Sequence, residues 1–273
     1  MMAGVEIWPQ LAALNRQGKR RMKKKPHLLV TGASSGIGAS LSLLMAEQGY
    51  SVSACARRLP RLQALQEKNR RITPIEMDVS DHNSVQLGLA KAEAENGAVD
   101  IAVLNAGIYQ PVNAAEFDLA AYNLHMAVNY TGILHCLDGL IPAMIGRKSG
   151  HIAFMASVAG YRGLPRSSAY GPSKAAVQNL AESVYFDLAP KGIKIQLINP
   201  GFVETEATAV NDFVMPDLIS SDEAARLVLA GLRSDTFEIA FPKRFVRKMK
   251  WLRLLPAKSY LKLMAKFTNH QPD

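Results

Sequence analysis

Short apolar runs alternate with segments of helical spacing between residues 26 and 240, and this alternation constrains the fold more than any other feature. The runs of strand length are His27–Thr31, Ser51–Ala56, Ile72–Met77, Val99–Asn105, His151–Ser157, Ile193–Asn199 and Phe237–Phe241. A strand that leads through a helix into a parallel neighbour makes a right-handed crossover, and repeated crossovers give a parallel sheet with helices on both faces. The pattern therefore predicts an α/β fold, a single doubly wound parallel-sheet domain.

Composition and cysteine usage exclude several other classes of protein. With 48% hydrophobic and 20% charged residues among 273, the chain can bury a large core, which argues against a disordered or fibrous protein. We find no run of about 18 apolar residues that would span a membrane, and no secretory signal. Cys55 and Cys136 stand apart from any CxxC or Cys/His cluster, so we predict no disulfide framework and no metal site. Both are expected to be buried packing residues of a cytoplasmic protein.

The net charge of +9 is concentrated at the two ends of the chain. Residues 1–25 carry +6 and residues 241–273 carry +8, which leaves −5 on residues 26–240. A nucleic-acid-binding domain would carry its basic residues on the folded body, so this distribution argues against a nucleic-acid partner. We therefore divide the chain into a basic N-terminal extension (1–25), expected to be disordered, a folded domain (26–240) and a basic amphipathic C-terminal extension (241–273).

A glycine-rich loop joins the first predicted strand to the first predicted helix. It reads Thr31-Gly32-Ala33-Ser34-Ser35-Gly36-Ile37-Gly38. Glycines here allow a tight turn and a close approach of the backbone to a pyrophosphate, and the N-terminus of the following helix attracts negative charge. Because the loop follows a strand and precedes a helix at the start of the domain, it predicts a dinucleotide site.

The TGxxxGxG spacing of this loop resembles the short-chain dehydrogenase/reductase family, and further motifs make the resemblance specific. They are Asn105-Ala106-Gly107 after the fourth strand, Asn129 in a long helix, Ser157 thirteen residues before Tyr170, Tyr170-x-x-x-Lys174, and Asn199-Pro200-Gly201 after the sixth strand. One departure is Leu104, where the family often has a second Asn, and this apolar residue simply continues the strand. The resemblance implies a Rossmann-fold dehydrogenase/reductase domain over residues 26–240 and a homodimer or homotetramer.

The resemblance also implies which residues bind the cofactor. They are Gly32, Ser34, Ser35, Gly36, Ile37, Gly38, Arg57, Asp78, Val79, Asn105, Ala106, Gly107, Tyr170, Lys174, Pro200, Gly201, Val203 and Thr205. Thr208 competes with Thr205 for the contact to the nicotinamide carboxamide.

The end of the second strand indicates which dinucleotide is used. An acidic residue there would bind the ribose hydroxyls of NAD(H), whereas an arginine favours the 2′-phosphate of NADP(H). The acidic position is Ala56, and Arg57 follows it, so we expect NADP(H) rather than NAD(H). The alternative is that Arg57, Arg58 and Arg61 form only the solvated start of a helix.

Tyr170 and Lys174 lie one helical turn apart, so both side chains share a helix face. A neighbouring ammonium is expected to lower the pKa of the tyrosine and make it a proton donor and acceptor for carbonyl or alcohol chemistry. The family resemblance implies that Ser157 orients the substrate oxygen and that Asn129 organises a proton-relaying water. Each has an ordinary alternative: a surface tyrosine beside a lysine, a helix cap at Ser157 and a helix-kinking residue at Asn129.

These features predict an NADP(H)-dependent oxidoreductase that reduces a ketone or aldehyde, or oxidises the secondary alcohol. The alternatives are a dinucleotide sensor without chemistry and a membrane-surface scaffold on the same fold. The substrate is a small molecule and is expected to be apolar, because the segment 202–220 contains Val203, Val210, Phe213, Val214 and Met215.

Residues 241–267 predict two short amphipathic helices separated by Pro256. Phe245, Met249 and Leu252 recur at helical spacing, and after Pro256 so do Ala257, Tyr260, Leu261, Met264 and Phe267. Lys258, Lys262 and Lys266 form a separate row. The segment 245–267 either lies on an anionic membrane surface or packs on the domain or a partner subunit.

Overall fold

A parallel sheet of seven strands, in the order β3-β2-β1-β4-β5-β6-β9, forms the centre of the computed structural model, which describes residues 25–267. Its strands are β1 His27–Thr31, β2 Ser51–Ala56, β3 Ile72–Glu76, β4 Ile101–Leu104, β5 Gly150–Met155, β6 Ile193–Pro200 and β9 Glu238–Phe241. A separate parallel pair joins β7 Val203–Glu204 to β8 Ile219–Ser220. The strand order reverses between β1 and β4, which is where doubly wound sheets bind ligands.

Helices cover both faces of the sheet. They are α1 Gly36–Glu47, α2 Leu59–Lys68, α3 His82–Asn96, α4 Leu119–Met126, α5 Gly132–Arg147, α6 Tyr170–Leu188 and α7 Ser221–Leu232. One core cluster joins the sheet to α3, α5 and α6, and the other joins it to α1, α2 and α7. Leu28 and Val30 of β1 belong to the second cluster and Leu29 to the first. This central strand is apolar throughout because both of its faces are buried.

The predicted doubly wound Rossmann domain is confirmed, with corrections at several element ends. β4 begins at Ile101 rather than Val99, and β5 ends at Met155, two residues before Ser157. Asn129 does not lie in one long α-helix, because a π-helical turn over Ala127–Thr131 separates α4 from α5. Cys55 and Cys136 are buried free thiols in the core, as expected.

The last two helices, α8 Lys243–Leu254 and α9 Ala257–Phe267, form where the spacing predicts them. Phe245, Val246 and Met249 of α8 are buried against Val158 and Tyr161, which follow β5. This face of α8 therefore packs on the domain.

Arg162 fixes the end of α8 and the start of α9. One guanidinium nitrogen donates to the carbonyl oxygens of Leu252, Arg253 and Leu255, at 2.7–3.1 Å. The guanidinium also lies 4.0 Å from the ring centroid of Tyr260, whose hydroxyl donates to the Gly163 carbonyl at 2.6 Å. Carbonyls at a helix C-terminus attract cations, so one arginine closes α8 and anchors α9.

Within residues 25–267, none of the helices is long and apolar enough to cross a membrane. The predicted N-terminal extension (1–25) falls outside the described residues except for Lys25.

Candidate active site

The glycine loop after β1 has the geometry that a dinucleotide phosphate requires. Gly32 and Gly36 have φ angles of +67° and +53°, which favour glycine. A Cβ on Gly32 would lie 2.7 Å from the Cα of Ala106, and one on Gly38 would lie 2.5 Å from the Gly32 carbonyl oxygen. The side chain of Ser35, which precedes α1, makes no capping hydrogen bond. The backbone N–H groups at the start of α1 therefore face the loop without a capping side-chain acceptor from this residue. These residues fit a pyrophosphate.

The loop after β4 is tied directly to the glycine loop. The side-chain amide of Asn105 donates to the Thr31 carbonyl oxygen at 2.8 Å, and the backbone N–H of Ala106 donates to the Thr31 hydroxyl at 2.9 Å. The two loops on either side of the switch point therefore form one rigid edge, with Gly107 leading away from it.

The arginine that contacts the glycine loop is Arg58, rather than the Arg57 that the sequence suggested. Arg57 lies 3.9 Å from the Asp78 carboxylate and is largely exposed. Arg58 donates to the hydroxyls of Ser34 and Ser35 at 2.8–3.1 Å and to the carboxylate of Glu206 at 2.8 Å. Its place directly after Arg57 was the only signal in the sequence. Asp78 also accepts from Ser80, which shapes the turn after β3.

Tyr170 opens α6, and Lys174 follows one turn later with its side chain buried. The ammonium lies 5.8 Å from the centroid of the Tyr170 ring and donates to the Met155 carbonyl oxygen at 2.9 Å. Burial lowers the pKa of Lys174 to about 8. Burial also raises the pKa of Tyr170 to about 12, although a hydrogen bond with Ser157 acts in the opposite direction.

The expected lowering of the Tyr170 pKa by Lys174 is therefore wrong for this structure. Desolvation of the phenol is the largest cause of the raised pKa, and the Lys174 ammonium donates to the Met155 carbonyl oxygen at the end of β5. At neutral pH the tyrosine is a protonated hydrogen-bond donor.

Ser157 is both a cap and a neighbour of Tyr170. Its hydroxyl accepts from the N–H of Ala159 at 3.1 Å and donates to the Pro200 carbonyl oxygen at 3.5 Å. Its own carbonyl accepts a hydrogen bond from Gln178 at 2.7 Å. The extended backbone after β5 thus presents this hydroxyl at the carboxyl edge of the sheet, where it caps the short helical turn that follows and also lies beside Tyr170.

Asn129 is fully buried in the π-helical turn. Its amide accepts from the N–H of Ile108 at 2.7 Å and donates to the Ile108 carbonyl at 3.0 Å. It also donates to the Ser173 hydroxyl at 2.9 Å. A Cβ on Gly107 would lie 3.2 Å from both Asn129 and Lys174, so these two side chains converge on the loop after β4.

Residues after β6 complete the edge. A Cβ on Gly36 would lie 2.8 Å from the Thr205 methyl group, so Thr205 lies over the glycine loop. Thr208 instead bonds the Val203 carbonyl within its own turn, at 2.6 Å. Val203 is buried in the core beside α1 and α7.

The segment 202–220 is less apolar toward the site than expected. Val210 and Val214 are exposed, at 55% and 92%, whereas Phe213 packs on Phe202 with ring centroids 5.7 Å apart. Phe202 in turn contacts Phe245 of α8 at 5.4 Å. Part of the predicted wall thus faces solvent, and its first residue packs on α8.

Sequence reasoning also missed Tyr109, which follows the Asn-Ala-Gly motif. Its ring packs edge-on against Tyr170 with centroids 5.0 Å apart, and its hydroxyl donates to Asn211 at 2.9 Å. The described residues contain no group of three or more His, Cys, Asp or Glu side chains placed to hold a metal ion.

Comparisons with known proteins agree with this arrangement. A family model described as short chain dehydrogenase matches residues 26–212. An uncharacterized oxidoreductase of Myxococcus xanthus is 36% identical over 232 residues, which are 84% of this chain and 92% of that protein. A short chain dehydrogenase of Burkholderia cenocepacia in complex with NADP matches with a TM-score of 0.77 at 25% identity, over 88% of this chain and 98% of the other. A short-chain dehydrogenase of Streptomyces avermitilis has the same fold, with a TM-score of 0.79 at 24% identity, over 91% of this chain and 100% of the other.

Proposed function

The chain belongs to the short-chain dehydrogenase family, and from that premise we propose that it is an NADP(H)-dependent oxidoreductase that reduces a ketone or aldehyde, or oxidises the secondary alcohol. The observation that carries the proposal is the convergence of Asn129, Ser157, Tyr170 and Lys174 on one edge of the sheet, beside a glycine loop shaped for a pyrophosphate.

When bound, the nicotinamide exchanges a hydride with the carbonyl carbon. In the reducing direction the Ser157 hydroxyl orients the carbonyl oxygen, and the protonated Tyr170 hydroxyl gives its proton to that oxygen. Lys174 holds the nicotinamide ribose, and its charge favours the tyrosinate left after the transfer. Asn129 holds the loop after β4 through Ile108 and organises the water that returns a proton toward Lys174. In the oxidising direction the same proton runs back to Tyr170.

The test is carbonyl-dependent oxidation of NADPH across aliphatic, aromatic, steroid and long-chain ketones and aldehydes. Tyr170→Phe should reduce turnover by at least about a thousandfold while leaving the dissociation constant for NADPH nearly unchanged, since only the transferable proton is removed. A dinucleotide sensor would instead bind NADPH and turn over none of the panel. Tyr185→Phe, on the exposed side of α6, is the matched control.

Preference for NADP(H) over NAD(H) is the second part of the proposal. Arg57 and Arg58 follow Ala56 at the end of β2, where Arg58 binds the Ser34 and Ser35 hydroxyls and Ala56 puts no carboxylate at the position that would bind the ribose hydroxyls. Guanidinium groups favour a phosphate over a ribose hydroxyl.

We expect NADPH to bind about 10–100-fold more tightly than NADH, which corresponds to about 1.4–2.8 kcal/mol. Arg57→Ala and Arg58→Ala should each remove part of this preference without weakening NADH binding. Equilibrium titrations of the two cofactors measure it, and equal dissociation constants in the unmodified protein would contradict the preference.

Proposed partners are a small apolar carbonyl or alcohol and further copies of the chain in a homodimer or homotetramer, in a cytoplasmic setting. Exposed apolar side chains on α4 and α6, among them Leu124 at 48% and Phe186 at 75%, support a contact between subunits. Sedimentation equilibrium measures the assembly.

We further propose a peripheral membrane contact through 245–267. Trp251 and Leu254 of α8 are 74% and 76% exposed, and Leu261 of α9 is 65% exposed. Nine Lys and Arg residues and no Asp or Glu lie between 243 and 267. One face of α8 packs on the domain, and the proposed contact uses the apolar residues that remain outside together with this charge.

A further inference from the structure

Glu206 reaches across the glycine loop to the arginines that follow β2. Its carboxylate accepts from Arg58 at 2.8 Å and also pairs with Arg61. These residues are separated by about 150 positions in the chain and meet only because Thr205, the residue before Glu206, lies over Gly36. An acidic side chain from the substrate side thus occupies the cofactor side of the site.

The groups around this carboxylate have the chemistry of a phosphate site. Arg58 binds the hydroxyls of Ser34 and Ser35 while it binds Glu206, so two guanidinium groups hold one anion and two hydroxyls lie beside the first of them. Arginine forks and hydroxyl donors are groups that recognise phosphate oxygens. The anion that they hold here belongs to the chain itself.

The carboxylate is held in its charged form but is easy to displace. The hydrogen bonds from Arg61 and Arg58 lower the pKa of Glu206 to about 2, so it is an anion throughout the physiological range. All three side chains are about half exposed. Exposed ion pairs contribute little net free energy, so a dianionic phosphate competes well for the same arginines.

We propose that Glu206 is an internal competitor for the 2′-phosphate of NADP(H), and that the phosphate takes its place on Arg58 and Arg61. The inference rests on the proposed cofactor preference, and it names Glu206 as a residue that sets how large the preference for NADP(H) over NAD(H) is. Glu206 lowers the affinity for NADP(H) and leaves that for NAD(H) unchanged. Cofactors with and without the phosphate are therefore discriminated less strongly than the arginines alone would allow.

Titration calorimetry with adenosine 2′,5′-bisphosphate and with 5′-AMP tests the inference without turnover, because the two ligands differ only in the 2′-phosphate. In Glu206→Gln the bisphosphate should bind about three- to tenfold more tightly than in the wild type, with 5′-AMP unchanged. Glu204→Gln is the matched control, since the neighbouring carboxylate is exposed and the described residues give it no ion pair. It should match the wild type for both ligands.

A double-mutant cycle assigns the effect to the arginine. In an Arg58→Ala background the gain from Glu206→Gln should shrink, because one of the contested partners is gone. Equal or weaker bisphosphate binding in Glu206→Gln, or an undiminished gain in the Arg58→Ala background, overturns the inference. If the protein reduces no carbonyl but Glu206→Gln binds the bisphosphate more tightly, the proposed reaction fails and this inference stands. If the protein is active but wild type and Glu206→Gln bind the bisphosphate equally, the inference fails and the proposed reaction stands.

Discussion

Lys174 keeps its charge in surroundings that disfavour it. The side chain is 3% exposed, and burial lowers its pKa to about 8 from an ordinary value of 10.5. The Met155 carbonyl oxygen is the hydrogen-bond acceptor that partly compensates the lost water. Folding therefore works against a group that the proposed chemistry needs, as is common where a site is built for activity rather than stability.

Lys174→Met should abolish turnover and change the pH dependence of stability. Between pH 8 and 10.5 the Lys174 side chain is protonated in the unfolded chain but not in the folded one, so its own contribution to stability rises with pH over that range. The rise is on the order of 3 kcal/mol. The variant lacks this contribution, so it should be at least comparably stable at pH 7, and the difference in stability should shift toward the wild type by that amount as the pH rises to 10.5.

Thermal unfolding at pH 7, 8 and 10 measures this difference. Lys191→Met, at an exposed position after α6, should keep the wild-type profile. A Lys174→Met protein whose stability changes with pH in parallel with that of the wild type above pH 8 would contradict this assignment to Lys174.

For an individual residue, the sequence predicts its neighbours on the same helix better than it predicts its burial and the charges around it. The spacing of Tyr170 and Lys174 was sufficient to predict that they lie one turn apart on the same helix. The direction of the Tyr170 pKa was not predictable, because it depends on the water excluded by distant segments and on where the ammonium points. Glu206 was missed for a related reason, since its partners come from the far end of the chain.

Among the elements, β9 and α8 are linked to the catalytic edge by a chain of polar side chains. Gln178 of α6 donates to the Ser157 carbonyl oxygen and, at 3.0 Å, to the amide oxygen of Asn199 in β6. Asn199 donates to the carboxylate of Glu238 at 2.8 Å. Glu238 also accepts hydrogen bonds from Tyr161, which follows β5, and from Lys250 of α8. The position of Ser157 thus depends on the last strand and the helix after it.

Glu238→Gln should destabilise the fold by about 1–3 kcal/mol at pH 7, because charge-assisted hydrogen bonds are lost. Burial alone would raise the pKa of Glu238, but the hydrogen bonds from Lys250, Tyr161 and Asn199 outweigh it and hold the pKa below its ordinary value. Its stabilising contribution is therefore present above the unfolded pKa and is lost as the pH falls through the folded one.

The difference in unfolding midpoint between wild type and Glu238→Gln should be full above about pH 5 and should shrink as the solution becomes more acidic. Melting curves across the acidic range measure it, with the exposed Glu182→Gln on α6 as a control that should follow the wild type. A difference that grows toward low pH would be opposite in sign to the one argued here.

The order of helices and strands followed from the sequence almost completely, because apolar runs buried on both faces leave a clear periodic signal. The sequence pattern did not predict where β4 begins, where β5 ends or the π-helical turn at Asn129. Those features depend on hydrogen bonds between loops far apart in the chain, such as the two that join Asn129 to Ile108.

On the scale of the whole molecule, charge is segregated. Residues 26–240 carry −5, whereas the segment 243–267 carries nine basic and no acidic residues. A molecule with this arrangement presents its basic helices first to an anionic surface, with each suitably placed Lys or Arg contributing about 1 kcal/mol.

Co-sedimentation with vesicles of phosphatidylcholine and phosphatidylglycerol tests the proposed membrane contact. We expect binding at low salt that weakens steeply as salt is added, and little binding to pure phosphatidylcholine. Replacing Trp251 and Leu254 together by Ser should weaken it by removing exposed apolar area. Leu87→Ser, which changes an exposed apolar residue of α3, should not. Binding that changes neither with salt nor with the replacement of Trp251 and Leu254 would contradict a membrane contact through α8 and α9.

The contact of α8 and α9 with the residues after β5 has a consequence for synthesis. The part of the edge that fits a pyrophosphate is formed by β1, β4 and the loops after them, so its residues have all been synthesised once Gly107 has been added. The catalytic edge waits for Glu238 and for the α8 side chains that cover Tyr161, and α9 is anchored only when Tyr260 meets Gly163. A growing chain therefore completes its glycine loop and the loop after β4 well before it contains Lys174 and Thr205, and longer still before it contains the residues that hold Ser157 in place.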